Sequence, residues 1–190
     1  MSKKHNDQNL KIQEDSEIIS MISSPDMRNQ GYRMLVQKYK EKLYWHIRRI
    51  VQDHDDADDV LQNTFVKVVR NLDGFQQQAS LYTWMYRIAT NESLNFISNK
   101  KTRVTSEIND LVYFKSAGES LMDSSKILNL LQIAIQNLPE KQKLVFNMRY
   151  YDEMSYHDIA EITDTSEGAL KASYHHAVKK IEEFLKSNIE

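Results

Sequence analysis

Between Gly168 and Ile181 the chain carries Lys171, His175, His176, Lys179 and Lys180 and no acidic residue. On a helix of about 100° per residue, Gly168, Ala172, His175 and Lys179 form one stripe, while Leu170, Tyr174, Ala177, Ile181 and Leu185 form the opposite, apolar one. Small residues followed by cations and imidazoles suit close approach to a DNA major groove, then contact with phosphates and base edges. A second constellation is aromatic. Tyr82, Trp84, Tyr86 and Phe96 are interleaved with Arg87, Asn91 and Asn95, a mixture in which rings stack on unpaired bases and amides read their edges. Core packing is the competing reading there, most directly for Trp84 and Ile88. A third group is acidic: Asp53, Asp55, Asp56, Asp58 and Asp59. Carboxylates at adjacent helical positions diverge, so convergence on a divalent cation is a poor fit. Helix initiation by Asp53 to Asp56 is the simpler account, leaving Asp58, Asp59, Gln62 and Asn63 as a polar face that could dock a basic partner.

These groups need particular elements to hold them. The segment from Ser155 to Lys180 reads as two helices around a tight corner. Ile159, Ala160 and Ile162 mark the inner face of the first, Asp164 tolerates the left-handed corner conformation, and Ser166 caps the second. An ordinary helical hairpin with a solvated basic face is the rival, but short helix, corner, capped long helix and acid-free outer face together favour a DNA-binding helix-turn-helix.

Upstream, Ile18, Ile19 and Ile22 predict a short helix from Glu14 to Ser24 that stops before Pro25. A long helix follows through Tyr32, Leu35, Tyr39, Leu43 and Ile47. Its outer side holds six basic residues between Arg33 and Arg49 against Glu41, and is either solvated or turned to nucleic acid. The spacing then predicts helices over Ala57–Arg70 and Leu81–Asn99, the latter capped by Ser80. Periodicity fades from Thr102 to Ser124 apart from the apolar island Val112, Tyr113 and Phe114. Helices over Ser125–Gln136 and, opened by Pro139 at its first position, Glu140–Tyr150 precede the helix-turn-helix.

The expected fold is therefore all-α. A tail at 1–12 precedes a helical domain at 13–101, a flexible linker at 102–124 and a helix-turn-helix domain at 125–190. Only four Gly and two Pro suit long helices with few turns. A net charge of −2 means that nucleic acid must be met by local patches. The absence of Cys excludes disulfides and Cys-bound zinc. Neither a signal core nor a bilayer-length apolar run is present in the sequence, so the cytoplasm is the expected location, with no membrane insertion.

Four separated motifs in order resemble a bacterial RNA polymerase sigma factor of the small extracytoplasmic-function (ECF) kind. They are Asp58-Asp59-Val60-Leu61-Gln62-Asn63-Thr64-Phe65, the run Tyr82 to Asn91, Leu138-Pro139-Glu140-Lys141-Gln142, and Tyr156 through Lys180. The resemblance covers roughly Asp26 to Lys186. It implies that Asp58, Asp59, Gln62, Asn63 and Phe65 dock on the clamp of core RNA polymerase. Phe75, Gln76, Gln77, Tyr82, Trp84, Arg87 and Asn91 would melt the downstream (−10) promoter element and hold a non-template base. Ser166, Lys171, Ala172, His175, His176 and Lys179 would read the upstream (−35) element. An anti-sigma factor is the implied inhibitory partner, and no catalytic residue, cofactor or metal is implied. Ala172, Ser173, His175, His176 and Val178 stand where many relatives have more Ser and Arg, and Asn63 where an acid is common.

Two rival functions remain. A DNA-binding regulator that works without polymerase would use the helix-turn-helix alone. A metal-dependent phosphodiesterase would need the Asp cluster with His54, yet the other metal-like i, i+4 pair, His157 and Glu161, lies in the other half of the chain.

Overall fold

In the computed structural model, which describes residues 14–75, 79–107 and 123–189, every regular element is helical. The expected tail, Gln76, Gln77 and the island Val112, Tyr113 and Phe114 lie outside the described residues. Two compact units divide the chain, Met1–Ser98 and Asn99–Glu190.

The first unit begins with α1 (residues 14–23), followed by α2 (Arg28–Val51), α3 (His54–Asn71), a single 3-10 turn (Leu72–Gly74) and α4 (Leu81–Glu107), whose residues from Asn99 onward fall in the second unit. Its core is the apolar side predicted for α2, Leu35, Tyr39, Leu43 and Ile47, closed by Val60 and Val68 of α3 and by Met85, Tyr86 and Ala89 of α4. Residue 31 must be glycine for α1 to lie where it does, because a Cβ there would sit 2.6 Å from Ile22 Cγ1 and 2.9 Å from the Ile22 backbone nitrogen. Asp15 pins the same helix pair. Its nearly buried carboxylate accepts from the Tyr39 hydroxyl at 2.7 and 2.8 Å and from Lys38 Nζ at 2.9 Å. Burial and then the Asp15 hydrogen bond push the Tyr39 hydroxyl well above its ordinary pKa. For Lys38, burial works against the ammonium, but the hydrogen bonds to Asp15 and Glu14 outweigh it and the net shift is upward.

The acidic cluster acts at a helix start. Asp53 is the N-cap of α3, accepting from the Asp56 backbone at 3.0 Å, and Asp55 and Asp56 sit in the first turn against the positive end of the helix dipole. Arg48 and Arg49 complement the other pole at the end of α2, which closes on Gln52 in the left-handed conformation at φ 68°. Ser80 caps α4 by accepting from the Thr83 backbone at 3.0 Å.

Helices extend into both ends of the expected linker: α4 continues past Asn99 to Glu107, and α5 begins at Asp123. Nothing between Thr102 and Glu107 stops a helix, since neither Gly nor Pro occurs there.

The second unit contains α5 (Asp123–Gln136), α6 (Glu140–Tyr150), α7 (Tyr156–Thr163) and α8 (Glu167–Ile189). Pro139 is the cap residue of α6 rather than its first helical one. The core joins Ala134, Ile135 and Leu138 to Phe146 and to Ala177 and Ile181 of α8. A capping box starts α7: Ser155 Oγ accepts from the Asp158 backbone at 3.1 Å, and Asp158 Oδ2 accepts from the Ser155 backbone at 3.3 Å. The corner then turns on Asp164 at φ 50°, and Ser166 Oγ accepts from the Ala169 backbone at 3.3 Å to start α8.

Candidate nucleic-acid and protein interfaces

On α8, Leu170, Ala177 and Ile181 face the core, and Ser166, Lys171, Ala172, His175, His176 and Lys179 are all exposed. Tyr174, expected to be core, is only half-buried. Its ring lies parallel to that of Phe146 at 5.8 Å, which places it at the edge of the core where α6 meets α8. Lys171 and Lys179 pair with Glu167 at 3.1 Å and Glu183 at 3.9 Å. Exposed pairs of this kind are worth little and are readily exchanged for phosphates. The rings of His175 and His176 are 6.0 Å apart and tilted by 58°. Among the described residues no three His, Cys, Asp or Glu side chains gather as a cation site.

Two further residues, Tyr156 and Arg149, stand beside this face. Tyr156 at the start of α7 has the Arg149 guanidinium 5.3 Å from its ring centroid and the Lys171 ammonium at 5.5 Å. Arg149 is held in place by donating to the Met154 carbonyl at 2.8 Å. Their order in the chain gives no hint of the cluster, because it forms only when the α6–α7 turn brings two helix ends together.

The aromatic helix divides its residues between two sides. Trp84, Arg87 and Asn91 share one stripe of α4, with Arg87 and Asn91 exposed and Trp84 half-buried. The Trp84 ring meets Phe75 at 5.0 Å, so Phe75, just beyond the 3-10 turn, stands over the start of the amide-bearing face. Tyr82 does not join them. It lies about 160° around the helix from Trp84, and its ring packs on the buried Tyr86 at 4.3 Å. Aromatic density alone does not say which ring faces where; helical phase does.

Between α2 and α3 lies an apolar cleft of about 630 Å³. Its floor and walls are Val36 of α2 with Leu61, Phe65, Val66 and Val69 of α3, and its rim is Lys40, Asp58, Gln62 and Arg70. Asp58, Gln62 and Phe65 therefore converge on the cleft, whereas Asp59 and Asn63 are exposed on the neighbouring side of α3 and do not line it. Val66 and Val69, 42% and 39% exposed, are apolar side chains left to water beside this cleft. The sequence pattern groups Val69 with the buried side of its helix, and only the crossing of α2 over α3 opens the groove. No helix among the described residues is long and apolar enough to cross a membrane.

Comparison with known proteins finds two family models in the same order as the two units. Sigma-70 region 2 matches residues 35–103, and Sigma-70, region 4 matches residues 128–181. The ECF RNA polymerase sigma-E factor of Haemophilus influenzae is 28% identical over 179 residues, spanning 88% of this chain and 93% of that protein. Its counterpart of Escherichia coli strain K12 is 29% identical, spanning 88% and 92%. Among solved structures, CnrH in complex with the cytosolic domain of CnrY aligns with a TM-score of 0.69 at 19% identity, covering 92% of this chain and 98% of that one. The sigma factor RpoE in complex with the anti-sigma factor NepR from Bartonella quintana aligns at 0.66 and 21% identity, covering 83% and 98%. At these identities the structural matches speak for the fold.

Proposed function

The chain belongs to the ECF sigma factors of bacterial RNA polymerase, and on that premise we propose how its surfaces divide the work of directing the polymerase to promoters. The α2–α3 cleft takes an apolar ridge of the polymerase clamp, with Asp58 and Gln62 giving polar contacts at its rim and Asp59 and Asn63 extending them on the exposed side of α3. The Phe75–Trp84 pair and the Arg87–Asn91 face act on the downstream element, stacking and reading a base once the strands part. The exposed stripe of α8 reads the upstream element, with Lys171 and Lys179 on phosphates and Ala172 and His175 nearest the base edges. The role is non-catalytic and cytoplasmic. Likeness to a fold solved with an anti-sigma factor supports an anti-sigma factor as a further partner.

The observation that carries this reading is the cleft. Duplex-DNA binding by the helix-turn-helix does not require a water-exposed apolar groove in the other unit, whereas docking on a polymerase subunit does. The test is direct titration of core polymerase with Asp58→Lys combined with Gln62→Ala. Affinity is expected to fall about tenfold or more with helicity preserved. Unchanged affinity in a folded variant would remove the docking assignment.

A further inference from the structure

His46 has no place in any of these surfaces. It is 1% exposed, deep in the face that α2 turns to α4, and an imidazole so placed is a costly choice where a leucine would fill the space. Its Nε2 lies 2.9 Å from Thr90 Oγ1. The Thr90 hydroxyl donates its own proton to the Tyr86 carbonyl at 2.8 Å. A hydroxyl has one proton, so Thr90 Oγ1 accepts from His46, and the imidazole carries its hydrogen on Nε2. The same ring packs against Tyr86 at 4.8 Å.

Thr90 immediately precedes Asn91, and Tyr86 immediately precedes Arg87. The two α4 residues that His46 touches thus each stand one position, about 100° of helix, before Arg87 and Asn91, two of the residues that α4 exposes. Met85 and Ala89, also buried on α4, are apolar, and packing of that kind tolerates small rotations of the helix. A hydrogen bond between two buried side chains does not, because turning α4 by one position leaves a donor and an acceptor both unpaired in a dry interface.

We propose that His46 is a positioning residue for promoter opening: through Thr90 it holds α4 at the one rotation that presents Arg87 and Asn91 to the displaced strand. The proposal rests on the reading of the α4 face given above.

The experiment compares promoter opening by reconstituted holoenzyme carrying His46→Leu, His46→Gln, Thr90→Val or Asn91→Ala, alongside core affinity and thermal melting of each variant. His46→Leu keeps the bulk and removes the donor, His46→Gln restores a donor at similar reach, and Thr90→Val removes the acceptor at constant shape. His46→Leu and Thr90→Val are expected to open duplex promoters about tenfold more slowly with core affinity unchanged; the melting temperature stays near wild type for His46→Leu and falls for Thr90→Val, which leaves the buried His46 donor unpaired. His46→Gln is expected to recover most of the rate, which simple loss of packing would not allow. Adding His46→Leu to Asn91→Ala is expected to slow opening by clearly less than the product of the two single effects, since both act through one face and only the Arg87 contribution is left to lose. Wild-type opening by His46→Leu and Thr90→Val beside a slow Asn91→Ala overturns the positioning role alone. Wild-type opening by Asn91→Ala overturns the reading of the α4 face. Should His46→Leu fail to fold, Thr90→Val decides by the same criterion.

Discussion

Replacing Leu170 with Ala is expected to destabilise the second unit by about 2–5 kcal/mol and to abolish upstream-element recognition through unfolding. Leu170 is 1% exposed, on the buried side of α8 opposite the basic stripe. A cavity at this point cannot be refilled easily, because α8 is also fixed by Ala177 and Ile181 against α5 and α6. For a unit of this size the loss corresponds to a fall of roughly 10 °C or more in its melting transition. The neighbouring Lys171→Ala removes an exposed side chain in a weak ion pair and leaves that transition in place. Differential scanning calorimetry of the full chain measures both, and a Leu170→Ala transition within a degree or two of wild type would mean that the two faces of α8 have been exchanged.

The second large effect falls on strand opening. Asn91→Ala is expected to slow promoter opening about tenfold or more while leaving closed-complex formation nearly unchanged, since an amide that holds a flipped base contributes only after the base has left the stack. Asn91 is exposed and lies on the same stripe as Trp84, so its loss creates no cavity and does not touch the core. On a pre-melted template the variant is expected still to bind more weakly, because the contact to the extruded base is missing there too. Equal binding of wild type and variant to pre-melted template, with equal opening of duplex, would remove the base-capture role.

The local chemistry of helix ends was legible from residue types. Asp53, Ser80 and Ser166 each accept the backbone hydrogen bond that their position before an apolar pattern predicts, and Asp164 takes the left-handed corner. The two faces of α8 were legible for the same reason: one helix with a single buried stripe is decided by phase. Features that depend on two elements were not. The cleft needs α2 and α3 to cross with Val36 opposite Val66 and Val69, and no spacing within either helix encodes that crossing. Tyr82 and Trp84, close in an aromatic run, fall on different sides of α4, a separation that phase along one helix already gives. His46 reads in sequence as one polar residue on an apolar side. Its meaning comes from Thr90, 44 positions away.

The most direct test of a polymerase subunit with divided reading surfaces is a promoter-library selection with core polymerase, run with the wild-type chain and with substitutions at Ala172 and His175. With polymerase, the selected promoters are expected to share both an upstream and a downstream element, and the substitutions to change only the upstream one. The chain without polymerase is expected to enrich neither, because its net charge of −2 leaves only local basic patches to meet DNA. Selection of the same duplex sequences by the free chain, or an upstream preference that survives every folded substitution at Ala172 and His175, would contradict the account.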